Sequence, residues 1–286
     1  MQEKNLILSQ IKFNMERNIP MTNKIGIDAG GSLLKIAYEE KGKFHVKTYG
    51  NDESKNLIQW LTMLNPDATL YITGGKSTSI KEQVMQKCVY IEEFDAVTKG
   101  ARFLVKRENP SFQDDFILVS LGTGTSIFHV KEEESYRLLG SGIGGGTLMG
   151  LGSLLTGRGN YQHLINLAEK GSSQKSDLLV RDIYAPNEPP IPGELTAANF
   201  GKAHFNMQAR VEDHVAALIR LIGETVISLA SQAAKITGVE KIVFVGSTLN
   251  GNKPLKEVLS GFQGMMQYEP IFLEKGSYAG AIGTLI

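Results

Sequence analysis

The sequence predicts an α/β chain of two lobes built on one pattern, three meandering strands followed by helices and strands in alternation. Two observations carry that reading. A strand, Gly-rich turn, strand, turn, strand arrangement occurs twice, at residues 24–49 and again at 115–139, and an internal repeat of this kind bears on the whole fold. The length of 286 residues is about twice the roughly 150-residue prior for one domain. Two α/β layers around their own cores are the economical outcome.

In order along the chain, 24–28 is a short apolar strand, 29–32 (Ala-Gly-Gly-Ser) a tight turn, and 33–38 a second strand. Lys41-Gly42 turns the chain into a third strand at 43–49. Apolar residues at helical spacing then predict a helix at 54–64, followed by a strand at 68–73, a helix at 77–86, a strand at 89–91 and a helix at 94–107. The first half therefore reads βββαβαβα. The second half opens with strands at 115–121, 125–131 and 135–139, joined by Gly122-Thr123-Gly124 and by an acidic turn at 132–134. A Gly-rich helix start at 144–155 follows, then helices within 161–170 and 177–184 and a Pro-rich loop at 188–193. A long helix at 211–236, a strand at 241–245, a helix at 254–260, a strand at 267–273 and a helix at 277–285 close the chain. Residues 1–23 are set apart as an N-terminal extension, disordered or preceding the true start at Met21, with lobes at 24–110 and 111–286.

Thirty Lys+Arg balance thirty Asp+Glu, which removes the electrostatic warrant for a nucleic-acid or anionic-membrane partner. Small molecules or another subunit are expected instead. Residues 1–20 lack the basic start, apolar block and cleavage site of a signal peptide. The uncharged run 138–155 holds seven glycines and reads as a glycine-rich loop rather than a span, and 215–230 contains Arg220 and Glu224, which makes it a buried amphipathic helix. Cys88 is the one cysteine; no internal disulfide is possible, and a reducing cytoplasm fits. The five histidines, at 45, 129, 163, 204 and 214, fall in no metal-ligand spacing.

The chemistry concentrates in four segments. In Asp28-Ala29-Gly30-Gly31-Ser32-Leu33-Leu34-Lys35, glycine lets backbone N–H groups approach an anion, Ser32 adds a donor and Lys35 a positive charge. Asp28 at the strand end suits a hydrated Mg²⁺, which takes few carboxylates. The turn leads into a strand and contains no Gly-Lys-Ser run, so it is not a P-loop; an ordinary hairpin turn is the plainer alternative. Gly122-Thr123-Gly124-Thr125-Ser126 repeats that chemistry at the matching place, and two such hairpins would clamp a polyphosphate. Val243 to Thr248 ends a late strand in small residues against which adenosine could lie. Gly144-Gly145-Gly146 precedes a helix whose N-terminus could face phosphate; close helix packing explains it equally.

These segments resemble the phosphate-1, phosphate-2 and adenosine motifs of the acetate and sugar kinase, Hsp70 and actin superfamily. More closely, the chain resembles type II pantothenate kinases of the staphylococcal and bacillar kind over about 24–286. Arg137 with the glycine run after it and the stretch 188–201 also carry the likeness, and the narrowing segments are Glu93-Phe94-Asp95-Ala96 and Pro189-Pro190-Ile191-Pro192-Gly193. Ser32 stands where that family commonly has Thr and keeps the hydroxyl. The resemblance implies an actin-like ATPase fold of two ribonuclease H-like lobes with a central ATP cleft, a cytoplasmic homodimer, and transfer of the ATP γ-phosphate to the 4′-hydroxyl of pantothenate. It implies Glu93 as general base and Arg137 as a catalytic residue in the substrate site, binding pantothenate or steadying the transferring phosphoryl, with Thr123 on nucleotide phosphate and Ser126 on pantothenate. Residues 28–35, Gly145, Gly146, Thr147, Leu148, Met149, Tyr161 and Ser247 fall on the nucleotide side, with Tyr161 near the adenine, and Asp28 on Mg²⁺.

Read from the residues alone, several of these positions have ordinary alternatives. Glu93 shares a helix start with Glu92 and Asp95, where acids complement the dipole. The Thr123 and Ser126 hydroxyls suit turns, an aromatic such as Tyr161 on a helix usually faces a core, and Arg137 in a hairpin strand is ordinarily a surface residue. The helix at 211–236 suits a dimer interface or the interior of its lobe. A sugar or N-acetylhexosamine kinase of the same superfamily is the rival enzyme, and an ATP-driven conformational switch the rival without a product.

Overall fold

The computed structural model describes residues 23–286, so the extension read at 1–23 lies, but for Asn23, outside the described residues. The chain forms two compact units, the first made of the described residues up to Gly100 together with Gly280–Ile286, the second of Ala101–Ala279.

In the first unit β1 (Lys24–Ala29), β2 (Leu33–Glu40) and β3 (Lys43–Gly50) form the expected antiparallel meander. Helix α1 (Ser54–Leu64) follows at the expected bounds, and β4 (Thr69–Thr73) then adds parallel to β1. Helix α2 covers only Ser77–Lys81, shorter than the 77–86 expected. The chain leaves the helix early because the Lys87 carbonyl must reach the Leu70 N–H, at 2.8 Å, to begin β5 (Cys88–Tyr90). Among the described residues the sheet order is β3-β2-β1-β4-β5. Its core holds Ile25, Ile27, Leu34, Ile36, Leu70 and Ile72 from the strands with Leu57, Ile58 and Leu61 from α1, the i, i+1, i+4 spacing that makes one face of α1 apolar. The chain end returns to this unit. A Cβ at Gly26 would stand 2.1 Å from the Ala281 carbonyl oxygen, so only glycine admits that contact.

Helix α3 (Glu93–Glu108) carries the chain from the first unit into the second. There β6 (Phe116–Leu121), β7 (Thr125–Val130) and β8 (Ser135–Ser141) repeat the meander, and β11 (Lys241–Val245) and β12 (Glu269–Phe272) add parallel to β6. The order β12-β11-β6-β7-β8 places the first, second and third strands of the meander and the two parallel additions as in the first unit. Duplication therefore holds at the level of sheet topology. After the meander come α4 (Gly145–Thr156) and α5 (Tyr161–Ala168). The helix expected within 177–184 is the short α6 (Val180–Tyr184), preceded by an unexpected strand, β9 (Leu178–Leu179). Strand β9 forms because β10 (Thr196–Ala198) pairs with it, and α6 starts where the Leu179 N–H donates to the Asp182 carboxylate at 2.7 Å.

Helix α7 (Val211–Thr237) is long and apolar enough to cross a membrane by length and composition. Its apolar stripe, including Val215, Leu218, Ile222, Val226 and Ala230, is instead buried in the core of this unit, and α7 ends on Gly238 at φ +73°, a left-handed cap suited to glycine. Helices α8 (Lys253–Gly261) and α9 (Gln263–Met266) precede β12, which is shorter than expected because Gln267 turns out of the strand at φ +55°. The last helix, α10 (Ala279–Gly283), shortens in the same way behind a 3₁₀ turn at Gly276–Tyr278.

Candidate active site

In the first unit the candidate residues gather where the parallel strands β1 and β4 end. Asp28 and Lys35 are register partners across the β1–β2 hairpin, so their side chains share a face, and Lys35 Nζ meets Asp28 Oδ2 at 3.2 Å with both largely buried. The turn closes through the Gly30 N–H on the Leu33 carbonyl at 3.1 Å, and Gly31 and Ser32 stand exposed at its tip. Ala29 and Leu34 lie inside the core, so any contact they make with a nucleotide runs through their backbone. Gly280 covers the Asp28 carboxylate: a Cβ there would be 3.0 Å from Oδ2.

Glu93 begins α3, with Asp95 also in its first turn and Glu92 just before. Its surface keeps solvent access, yet its carboxyl is held above the usual carboxylate range. Partial burial is the main cause, the Asp28 and Glu92 carboxylates add to it, and the Lys35 ammonium opposes it. Asp28, Lys35 and Glu93 are therefore electrostatic neighbours. A carboxylate at a helix start is ordinarily favoured by the dipole; at Glu93 burial and the neighbouring carboxylates outweigh that effect.

In the second unit the hairpin tip at 122–124, the start of α4 and the 3₁₀ turn at Ser247–Leu249 converge where β6 and β11 end, the edge at which parallel α/β sheets bind ligands. The Gly145 N–H donates to the Gly122 carbonyl at 2.9 Å and the Gly146 N–H to the Thr123 carbonyl at 2.8 Å. The start of α4 is thus capped by the hairpin itself, and the glycines are required by contact: a Cβ on Gly144 would lie 2.8 Å from Gly124 backbone, and one on Gly145 2.5 Å from Thr248 Oγ1. Thr147 Oγ1 donates to the Gly142 carbonyl at 3.0 Å and accepts from the Gly144 N–H at 3.2 Å. Leu148 turns into the core and Met149 packs against it. Thr123 is exposed at the hairpin tip.

Gly246 sits at φ +111°, and a Cβ there would be 2.1 Å from the Leu121 carbonyl oxygen; this brings Ser247 against the β6 exit. Tyr161 Oη donates to the Thr248 carbonyl at 2.7 Å, and its hydroxyl is pushed up to about 12 by burial, with Asn252 opposing. It stays protonated and ties α5 to the Ser247 turn. Thr248 Oγ1 in turn donates to the Gly122 carbonyl at 2.9 Å, a link that sequence reasoning missed because its partners are 126 residues apart.

Arg137 is exposed on β8, and its guanidinium folds over Gly140, where a Cβ would overlap Nη2 at 2.0 Å. Gly140 is the register partner of Ser126, so Arg137 and Ser126 occupy one stretch of hairpin. The register slips between Ile127 and Phe128, which pair with Leu139 and Arg137. Leu138 is the extra residue of a β-bulge, a device that re-aims a side chain.

Two glycine-rich hairpins at the strand ends of two sheets of one topology define a member of the actin-like ATPase fold. Solved structures agree. The component A of (R)-2-hydroxyglutaryl-CoA dehydratase from Acidaminococcus fermentans superposes with a TM-score of 0.60 at 16% identity, covering 91% of this chain and 95% of that one. A ROK family glucokinase from Streptomyces griseus, in complex with glucose and AMPPNP, gives 0.52 at 13% identity over 91% and 97%. A family model described as Fumble matches residues 40–286. Type II pantothenate kinases from Oceanobacillus iheyensis and Staphylococcus saprophyticus are 47% and 36% identical, each over 92% of this chain and 98% and 99% of their own. The chain belongs to the type II pantothenate kinase family.

Proposed function

We propose that the chain transfers the γ-phosphoryl group of ATP to the 4′-hydroxyl of pantothenate, giving 4′-phosphopantothenate and ADP, the first step toward coenzyme A. The observation that carries the chemistry is the grouping of Glu93 with Asp28 and Lys35. Phosphoryl transfer asks a protein for positioning, charge neutralisation and a base. Glu93 accepts the 4′-hydroxyl proton as the new O–P bond forms and the bond to the β-phosphate oxygen breaks. Lys35 and the backbone of 28–35 hold phosphate in the first unit; Thr123, 145–149, Tyr161 and Ser247 serve the nucleotide in the second. Arg137 and Ser126 hold pantothenate.

Among the described residues no three His, Cys, Asp or Glu side chains form a metal-holding group. A dedicated protein cage is therefore not what Asp28 offers. Mg²⁺ keeps most of its waters and takes one or two carboxylates plus substrate phosphates, and the partly accessible Asp28 carboxylate fits that donor set. Bound there, Mg²⁺ would neutralise charge on the phosphate oxygens.

The reading includes a cytoplasmic homodimer, without nucleic-acid or membrane partners. The stripe of α7 is buried within its unit, so an interface would use other surface, and Ile183, Tyr184, Ile191, Phe205 and Met207 are exposed apolar side chains on the second unit. Mass spectrometry of the product tests the function: 4′-phosphopantothenate formed from pantothenate and Mg-ATP supports it, and unchanged pantothenate contradicts it.

A further inference from the structure

Three side chains form a row across the first sheet. Asp28 on β1 pairs in register with Lys35 on β2 and with Thr73 on β4, and register partners point to one face of a sheet. Thr73 is wholly buried, and among the described residues its Oγ1 has no hydrogen-bond partner. A buried hydroxyl left without a partner is costly, and the same volume is filled at no such cost by valine. The strand end holds Thr73 in place: Gly74 follows at φ +92°, so close to Ala29 that a Cβ would be 2.5 Å from its carbonyl oxygen, and the Lys76 N–H donates to that same oxygen at 3.0 Å.

The Asp28 carboxylate takes Lys35 on one flank and has the unpartnered hydroxyl on the other. Lys35 has two claims on it, since the ammonium that pairs with Asp28 is also the cation of the phosphate hairpin. A phosphate drawing Lys35 away would leave a mostly buried carboxylate without its protein donor on that flank. We propose that Thr73 is a positioning residue for the phosphate site: its hydroxyl donates to Asp28 when Lys35 turns to phosphate, and so keeps the carboxylate oriented. The inference rests on the phosphate role given to Asp28 and Lys35 above.

The test compares Thr73→Val, Thr73→Ala and Thr73→Ser in the full chain. Calorimetry measures binding of a non-hydrolysable ATP analogue with and without Mg²⁺; melting temperature and pantothenate-dependent ADP release are read alongside. Loss of one hydrogen bond to a charged group predicts about tenfold weaker binding of the analogue in Mg²⁺ for Thr73→Val. A similar loss in kcat should accompany it, with KM for pantothenate unchanged and no fall in melting temperature. Thr73→Ala should show the same weakening, and Thr73→Ser should restore the parent within about twofold. Parent-like binding in Thr73→Val overturns the proposal, and so does equal weakening in the valine and serine variants. A parent that binds the analogue but releases no ADP with pantothenate strikes the acceptor assignment instead, and the binding comparison still decides Thr73.

Discussion

The carboxyl of Asp28, near the end of the first strand, acts on that of Glu93, which begins the helix that leaves the first unit: after partial burial, the Asp28 charge helps to hold the Glu93 pKa up. Lys35 opposes that effect while paired with Asp28 at 3.2 Å. The charges of Asp28 and Lys35 thus both bear on the Glu93 carboxyl.

Glu93→Gln should lower kcat by roughly 10²-fold or more, with melting temperature close to the parent. The acid limb of kcat/KM should lie above the ordinary carboxylate range, because partial burial and then Asp28 raise the Glu93 pKa. Activity is lost as pH falls through that raised value, since the base must be ionised. Asp28→Asn removes the like charge and should move the limb to lower pH, which a pH–rate profile of the residual activity would read; an unmoved limb would separate the two groups.

Tyr161→Phe removes the hydrogen bond to the Thr248 carbonyl. The expected loss is about 1 kcal/mol of stability, together with a severalfold rise in KM for ATP and little change in KM for pantothenate. Steady-state kinetics with each substrate varied would show it.

Gly246→Ala should destabilise the second unit, since the new methyl has no room beside the Leu121 carbonyl and the backbone is left-handed. A cost of about 2 kcal/mol or more corresponds to a melting temperature lower by roughly 4–8 °C. Calorimetry checks it.

Asp177 gives a pH signature unrelated to catalysis. It is fully buried with Oδ2 unpartnered among the described residues, and burial raises it to about 6, with Glu224 adding and the Phe200 N–H and Arg220 opposing. The folded state therefore holds this proton to higher pH than the unfolded state. Stability from this group is greatest in acid and falls as pH rises from about 4 through about 6, by roughly 2–3 kcal/mol. Asp177→Asn should abolish that part of the slope and be the more stable protein above about pH 7, a difference measurable by urea unfolding at several pH values.

Much of this was legible because local chemistry and global fold agree in the meanders: alternating apolar strands and Gly turns fix β1 to β3 and β6 to β8 wherever they lie. What escaped reading is set by distant partners. Strand β9 exists only because β10 returns to it, α2 stops for the sake of the Lys87 carbonyl, and nothing local marks Gly280 as the cover of Asp28. A motif read as a segment also mixes its faces, so Leu34 and Leu148 stand beside Lys35 and Thr147 in the sequence but point into the cores. The bulge at Leu138 leaves no sequence mark, yet it sets the register in which Arg137 pairs with Phe128.

The central claim is the acceptor. ADP release by the purified chain with Mg-ATP should be measured with pantothenate, glucose, N-acetylglucosamine or no acceptor. Strong stimulation by pantothenate alone is the predicted result; stimulation by a sugar instead, or by none of them, would contradict it.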